Sequence, residues 1–151
     1  MDIGSGHGYP EAALSNFAPH PFMFRGLQVN SMEGFLQGLK FKNPEMQKHV
    51  FTLVGKAAKF KGKKKKWFRD QTLYFQGEPI DRHSQEYQDL LDEVFHELFY
   101  WNLGARSALI STHRAVLKHS IGKKNPSETV LTRSEFCGRL TKIRDEILGS
   151  V

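Results

Sequence analysis

Apolar side chains recur every three or four positions in several stretches of the chain, which is the spacing of an amphipathic helix. The clearest stretch predicts a helix from Ser84 to Trp101. Its apolar positions are Tyr87, Leu90, Leu91, Val94, Phe95, Leu98 and Phe99. A final helix is predicted to begin at Thr132, where Glu135 completes a capping box. Its predicted buried positions are Phe136, Leu140, Ile143 and Ile147.

Three further helices are predicted from capping residues and periodicity. Asn43 followed by Pro44 is a strong helix start, because asparagine caps the first turn and proline suits the first helical position. We expect Asn30 to cap an earlier helix and 105–112 to form a short one. The predicted buried side of the helix after Asn43 consists of Met46, Val50, Leu53, Val54 and Ala57.

Short β segments alternate with these helices. Residues 21–29 predict a hairpin with its turn at Arg25-Gly26, and residues 72–80 predict another with its turn at Gln76-Gly77. Residues 114–121 are expected to form a strand, residues 122–128 a loop, and residues 1–13 to be loose. The sum is an α+β fold, a mainly helical single domain over 1–151 with short β hairpins.

Length and composition restrict the class of protein. A chain of 151 residues is typical of one domain. No apolar run reaches the roughly 20 residues that cross a bilayer, and the N-terminus lacks the pattern of a secretory signal. The lone Cys137 cannot form an internal disulfide. We therefore expect a cytoplasmic protein without membrane partners, in the host cytoplasm if it is viral, as a monomer or small homo-oligomer.

The positive charge is concentrated in one stretch. The net charge is +6, and residues 59–69 carry seven of the 22 basic residues and no acidic one, so the rest of the chain is nearly neutral. This stretch is either a solvated loop or a surface that attracts phosphate groups, including those of a nucleic acid. The residues predicted for the second role are Lys61, Lys63, Lys64, Lys65 and Lys66.

A line of polar residues interrupts an apolar segment near position 35. Glu33, Gln37 and Lys40 are spaced four and three apart, so on a helix they share one face. An apolar stripe lies beside them, formed by Met32, Phe35, Leu36 and Leu39. The polar line is either a solvated surface or the floor of a reactive pocket. An acid in a first helical turn is also stabilised by the helix dipole, by about 0.3–1 kcal/mol, without any functional role.

The segments "LSNFAPHPF" (14–22) and "SMEGFLQGLKF" (31–41) resemble the NADAR or YbiA-like family. The positions that match are Ser15, Asn16, Phe17, Pro19, Pro21, Ser31, Glu33, Gln37, Lys40 and Phe41. Further along, the basic stretch ending at Trp67 and the last helix with Arg144 resemble the same family. Ile121-Gly122 stands where the family usually has Trp-Gly, and "SEFC" (134–137) replaces its usual entry to the last helix.

The resemblance implies a YbiA-like fold and hydrolysis of an N-glycosidic bond in a ribosyl compound. The family's substrates imply removal of ADP-ribose from a guanine base, or action on an NAD, ADP-ribose or riboflavin-pathway derivative. It also implies Glu33 as the catalytic carboxylate. The seven histidines show no metal-ligand cluster, so we expect no metal, and we expect no cofactor. The substrate-binding residues implied are Asn16, Phe17, His20, Ser31, Gln37, Lys40 and Trp67. A compact member with a divergent C-terminal end is compatible with a phage origin.

Two other classes of function stay open. The chain is alternatively a module that binds ADP-ribose or a nucleic acid end without turnover. A third possibility is a small nucleic-acid-binding protein that uses only the lysine stretch. The partners expected are thus an ADP-ribosyl or ribosyl nucleotide and, in the alternatives, a nucleic acid.

Overall fold

Seven α-helices and four short strands make up most of the regular structure in the computed structural model, which describes residues 1–149. In chain order the elements are α1 (Glu11–Leu14), β1 (Phe22–Phe24), β2 (Leu27–Val29), α2 (Met32–Gly38), α3 (Pro44–Phe51), α4 (Gly55–Lys63), a 3₁₀ turn (Trp67–Arg69), β3 (Thr72–Phe75), β4 (Glu78–Asp81), α5 (Gln85–Trp101), α6 (Leu103–Ser111) and α7 (Arg133–Gly149). The α+β fold predicted from the sequence, a mainly helical domain with short hairpins, is confirmed.

Both predicted hairpins are present as separate antiparallel pairs. Their turns lie where the sequence places them, at Arg25-Gly26 and Gln76-Gly77, and all four turn residues have positive φ. Two successive residues of positive φ allow a two-residue connection that follows the natural twist of the strands. The end pairs of the registers are Phe22 with Val29, Phe24 with Leu27, Thr72 with Asp81, and Phe75 with Glu78.

Four buried phenylalanines join the two hairpins to helices α2 and α3. Phe24 of β1 packs edge-on against Phe35 of α2 and Phe75 of β3, with ring centroids 5.2 and 5.8 Å apart. Phe51, at the end of α3, stacks on Phe35 at 5.1 Å. Aromatic pairs of this geometry add to the free energy of burial, by about 0.5–1.5 kcal/mol each. This cluster fixes the position of α2 in the fold.

Helix α5 is the central element of the other half of the molecule. It contacts α6, α7, β1 and β4. All seven apolar positions predicted for it are buried, and Ser84 caps it as its hydroxyl accepts a hydrogen bond from the Tyr87 amide. The capping box of α7 is confirmed too, since Thr132 and Glu135 each accept a hydrogen bond from the other's backbone amide.

A buried ion pair connects the start of α5 to the start of α7. The Arg82 side chain is only 1% exposed and donates to Glu135 across 2.7 Å. Its Nε also donates to the Thr129 carbonyl, and the Tyr87 hydroxyl donates to the Val130 carbonyl at 2.6 Å. These bonds fix the otherwise irregular segment that precedes α7.

The helix predicted to follow Asn43 is shorter than expected. It ends at Phe51, and a new helix, α4, begins at Gly55, whose φ of +54° breaks the helical path. Val50 is buried as predicted, but Met46, Val54 and Ala57 are exposed. Because α4 extends to Lys63, the first part of the lysine stretch is helical and not a loop.

Two other expectations are wrong. Residues 114–121 are not a strand, since only Lys118 is bridged there, to Asp2. Residues 1–13 are not loose, because Ile3 is 1% exposed and its amide donates to the Lys118 carbonyl at 2.8 Å. The N-terminal segment and the 114–121 segment therefore hold each other in place. None of the helices in the described residues is long and apolar enough to cross a membrane.

Candidate functional site

The polar face of α2 lies at a cleft of about 460 Å³. Five parts of the chain line it: the N-terminal segment at Ser5, the segment before β1, α2 with Lys40 shortly after it, the α4–Trp67 region, and the segment before α7. The lining side chains that bear on its chemistry are Asn16, Phe17, Glu33, Gln37, Lys40, Lys59, Trp67, His119, Lys123 and Glu128. The predicted line of Glu33, Gln37 and Lys40 is therefore part of a cleft and not an open convex surface.

Glu33 is held at the start of α2 by the segment that precedes the first hairpin. Its backbone amide donates to the Asn16 carbonyl at 2.9 Å. Ser31, and not the predicted Asn30, caps this helix, because the Ser31 hydroxyl accepts from the Gly34 amide and donates to the Leu53 carbonyl. The hydrogen bond between the Glu33 amide and the Asn16 carbonyl explains how the two separate parts of the sequence signature come together at one carboxylate.

Gln37 orients the Glu33 carboxylate. It lies one helical turn later and its Nε2 donates to Glu33 Oε1 at 2.9 Å. The other end of the amide, Oε1, faces Gly62 of α4, where a Cβ would come within 1.9 Å of it. Glycine at 62 thus allows α4 to approach α2 closely enough to confine the Gln37 side chain.

Burial and neighbouring charges act in opposite directions on Glu33. Burial raises the pKa of its carboxyl above the ordinary value and outweighs the Gln37 hydrogen bond and the positive charges of Lys40 and Lys59, which lower it. Burial also lowers the pKa of Lys40 to about 8, although the Glu33 charge opposes this. The two groups form no salt bridge in the part of the chain that the structure describes.

Six of the residues that the family resemblance implies line the cleft together. Besides Glu33, Gln37 and Lys40, these are Asn16, Phe17 and Trp67. Trp67 is 8% exposed, so most of its ring packs in the core and only an edge or part of a face can meet a ligand. Asn16 and Phe17 are partly exposed.

Two of the implied residues do not line this cleft. Ser31 is fully buried, and both its hydrogen bonds serve the start of α2. His20 lies near Gly104 of α6, and its Nε2 is 2.6 Å from the Ala13 carbonyl. Their positions give them a role in holding neighbouring elements and not in contacting a molecule in the cleft.

The residues of the lysine stretch that the sequence singles out also lie outside the cleft lining. All of Lys61, Lys63, Lys64, Lys65 and Lys66 are exposed. Lys65 extends over the Phe41 ring at 4.9 Å and borders a separate open groove of about 940 Å³. That groove is larger than the cleft, but it contains none of the polar residues of α2. We therefore place the candidate chemistry in the smaller cleft.

Four charged or titratable residues of the cleft are not part of the sequence signature. Lys59 belongs to the lysine stretch and could have been singled out from it. His119, Lys123 and Glu128 come from an irregular segment without a recognisable motif, so no signal in the sequence points to them. Among residues 1–149, no group of three or more His, Cys, Asp and Glu side chains is arranged to hold a metal ion.

The arrangement combines one partly buried carboxylate with several cations and an aromatic wall. A carboxylate in such a position can stabilise a cationic carbon and accept a proton from water. The lysines can neutralise phosphate groups, and Trp67 or Phe17 can contact a flat ring. The cleft therefore combines groups that suit an anionic ligand with a flat ring.

Comparison with known proteins gives the chain a family. A family model described as bacteriophage protein GP30.3 matches residues 8–145. An uncharacterised 17.1 kDa protein from the Gp30–rIII intergenic region of enterobacteria phage T4 is 39% identical over 149 residues, which are 97% of this chain and 98% of that protein.

The fold also resembles a solved structure. The NMR structure of the Escherichia coli protein YbiA aligns with a TM-score of 0.63 at 15% identity, over 98% of this chain and 83% of YbiA. At this identity the likeness shows the fold alone. The YbiA-like fold expected from the sequence is confirmed, and the chain belongs to the bacteriophage GP30.3 protein family.

Proposed function

We propose that this protein is a NADAR-like hydrolase that cleaves the N-glycosidic bond of a ribosyl compound, with removal of ADP-ribose from an ADP-ribosylated guanine base as the leading reaction. The observation that carries the proposal is the position of Glu33. Its carboxylate lies in a cleft, is fixed by Gln37 at 2.9 Å, and is surrounded by cations and aromatic rings. The proposed reaction requires no metal and no cofactor.

The chemistry of the bond explains the need for such a carboxylate. When the bond between the anomeric carbon and the base nitrogen breaks, positive charge develops on the sugar. The Glu33 carboxylate stabilises that charge and accepts a proton from the attacking water, which adds to the anomeric carbon. Glu33 must be ionised for both tasks, so the cations of Lys40 and Lys59, which lower its pKa, support the active state.

The remaining lining residues supply recognition. Lys59 and Lys123 are exposed at the cleft and can neutralise the diphosphate of an ADP-ribosyl group. Trp67 and Phe17 offer apolar surface to a base. Such a substrate would be encountered in the cytoplasm of an infected host, which is where we propose that the protein acts.

The experiment is an assay for released product. Purified protein is incubated with ADP-ribosylated guanosine, with ADP-ribosylated oligonucleotide and with a riboflavin-pathway ribosyl intermediate, and products are identified by mass spectrometry. We expect free ADP-ribose from at least one ADP-ribosylated substrate. Glu33→Gln keeps the shape of the side chain and should lower the rate by about 10²- to 10⁴-fold. If wild type and variant are equally inactive on all three substrates, the proposal is wrong.

A second candidate function is binding of a nucleic acid without turnover. Two aromatic rings, Phe60 and Phe68, are 56% and 53% exposed beside the lysines of the 59–69 stretch. Exposed rings among cations suit stacking of single-stranded bases. In that case Glu33→Gln would bind an oligonucleotide like wild type, whereas replacing Lys63–Lys66 by glutamine would abolish binding. Release of ADP-ribose by the wild-type protein would exclude a purely non-catalytic role.

A further inference from the structure

His119 is the one imidazole that lines the cleft, in the part of the chain that the structure describes. Its Nδ1 lies 2.9 Å from the Ile3 carbonyl oxygen. Because a carbonyl oxygen can only accept a hydrogen bond, Nδ1 carries a hydrogen in both the neutral and the charged ring. The nitrogen that can take up and release a proton is therefore Nε2, and no residue among 1–149 forms a hydrogen bond with it.

Glycine at position 122 leaves this edge of the ring open. A Cβ at Gly122 would lie 2.5 Å from Cδ2 and 3.2 Å from Nε2 of His119. Gly122 is itself part of the cleft wall. Any larger residue at this position would therefore cover or displace the edge of the imidazole that is free to react.

The ring is also held in a fixed orientation. Phe136 of α7 meets it edge-on, with centroids 5.1 Å apart. Arg133 donates hydrogen bonds to the carbonyls of Ser120 and Gly122, one and three residues after the histidine. Arg144, which is 4% exposed, donates to the Ala115 carbonyl at 2.7 Å and so fixes the segment that leads to it. A side chain supported from both sides is preorganised for a reaction.

A positive charge on the His119 ring acts on the proposed catalytic carboxylate, Glu33. A positive His119 lowers the pKa of Glu33, as Lys40 and Lys59 do, and it also lowers the pKa of Asp2 on the N-terminal segment. An imidazole and a carboxylate therefore lie in the same cleft. One proton donor and one proton acceptor are what hydrolysis of a bond to a poor leaving group requires.

From this geometry we propose that His119 is a further catalytic residue, a general acid that protonates the base as it leaves. The inference rests on the proposed hydrolase function. The bond between the anomeric carbon and the base nitrogen breaks, and its electron pair goes to the base. The Nε2 proton of His119 moves to the base, so that the base leaves neutral. Water adds to the anomeric carbon and gives one proton to Glu33. Transfer of that proton through solvent to His119 restores both groups.

Glu33 and Lys40, the two ionisable groups on the polar line of α2, fit this role less well. Glu33 must be ionised to stabilise the sugar cation. Lys40 is the lysine whose pKa is lowered, but its charge supports Glu33, and the loss of that charge would raise the pKa of Glu33. An imidazole can both carry and release a proton near neutral pH, which makes it an efficient acid there.

The test compares two leaving groups. Guanine needs a proton to leave, whereas 4-nitrophenolate leaves as a stable anion. We expect His119→Gln to slow release of ADP-ribose from the guanine conjugate by about 10²- to 10³-fold. The second substrate is ADP-ribose with a 4-nitrophenoxy group on its anomeric carbon. The rate of 4-nitrophenolate release from it should fall less than about threefold, because general-acid catalysis contributes little to the departure of such a leaving group. Glutamine can still donate to the Ile3 carbonyl, so the fold should be retained.

A matched control and a second variant complete the design. His7 also places its Nδ1 against a backbone carbonyl, that of Asp2 at 2.7 Å, but does not line the cleft, so His7→Gln should leave both rates unchanged. His119→Ala should regain guanine release when imidazole is added. If His119→Gln lowers the rates on both substrates equally, or lowers neither, the role of His119 as general acid is wrong, while the proposed hydrolase function is unaffected. A wild-type protein inactive on both would overturn the proposed function as well.

Discussion

Gly62 is the position where a single methyl group should disturb the candidate site most directly. A Cβ there would lie 1.9 Å from Gln37 Oε1, 2.7 Å from its Cδ and 2.8 Å from its Cβ. The amide can rotate away, but the Cβ of Gln37 is fixed to α2. Gly62→Ala therefore forces helices α2 and α4 apart by some tenths of an ångström and turns Gln37 away from Glu33.

The size of the effect follows from two opposing contributions. Alanine is more favourable than glycine in a helix interior by about 1 kcal/mol. Overpacking of a close contact costs about 1–3 kcal/mol. The matched control is Gly138 in α7, which has no atom within 4 Å of its Cβ position, so Gly138→Ala should give the helix-propensity gain alone. Because Gly62 lies next to the end of α4 and Gly138 inside α7, the difference between the two substitutions contains the overpacking and a smaller difference in helix propensity.

The assay is urea denaturation of wild type, Gly62→Ala, Gly138→Ala, Gln37→Ala and the double variant Gly62→Ala/Gln37→Ala. We expect Gly138→Ala to be stabilised and Gly62→Ala to be about 1–3 kcal/mol less stable than Gly138→Ala. The double variant should be more stable than additivity predicts, because the 1.9 Å contact is gone. If Gly62→Ala is stabilised as much as Gly138→Ala, the α2–α4 contact does not confine Gln37 as described.

Three further predictions concern charge. Hydrolysis of the 4-nitrophenyl substrate, which needs no proton from His119, should fall on the alkaline side near pH 8, where Lys40 loses its proton. Lys40→Arg should remove that limb from the pH–rate profile because arginine stays charged, and an unchanged profile would contradict this role of Lys40. Replacing Lys63–Lys66 by glutamine should reduce the slope of log binding constant against log salt concentration for an oligonucleotide by up to about three, while the rate of hydrolysis of a mononucleotide substrate stays constant. An unchanged slope would mean that these lysines do not contact the strand. Burial raises the pKa of Glu135, but the hydrogen bonds that its carboxylate accepts, led by the one from Arg82, outweigh burial, so the pKa is lowered. The ionised Glu135 therefore stabilises the fold fully above the ordinary pKa of a glutamate, and this stabilisation is lost as the pH falls through the lowered pKa. Glu135→Gln should therefore lower the free energy of unfolding by about 3 kcal/mol at pH 7, and the difference from wild type should shrink below about pH 4. Equal denaturation curves at pH 7 would show that the buried ion pair contributes nothing to stability.

Elements with strong local signals were predictable from the sequence. The helix from Ser84 carries its apolar stripe and its cap within one segment, and both hairpins place their turns where a Gly residue follows Arg25 or Gln76. Such signals depend on neighbouring residues alone, so no tertiary information is needed. The capping box at Thr132 belongs to the same class.

Elements decided by distant contacts were not predictable. Ile3 is buried because it meets Lys118, more than a hundred residues away, and no local pattern indicates that pairing. Asn30 and Ser31 are both good capping residues, and Ser31 takes the position because its hydroxyl reaches the Leu53 carbonyl. The break at Gly55 depends on one positive φ, which glycine permits but does not require.

The candidate site also combines features that the local sequence predicts with features that depend on distant contacts. The side chains of Glu33, Gln37 and Lys40 share a face for local helical reasons, so their proximity could be predicted from spacing. The contribution of Asn16 was implied by the family resemblance, and the hydrogen bond from the Glu33 amide to the Asn16 carbonyl explains why the two residues lie together. His119 reaches the cleft only because the segment that precedes α7 folds back over it, a placement that no motif records.

The central claim is that the Glu33 carboxylate acts on a sugar carbon in this cleft. The most direct measurement is the single-turnover rate of ADP-ribose release from ADP-ribosylated guanosine at pH 7, for wild type and for Glu33→Gln, with binding of the substrate measured on the same samples. We expect the variant to bind the substrate and to release product at least about 10²-fold more slowly. Equal rates for the two proteins, or binding without any release by wild type, would contradict the account.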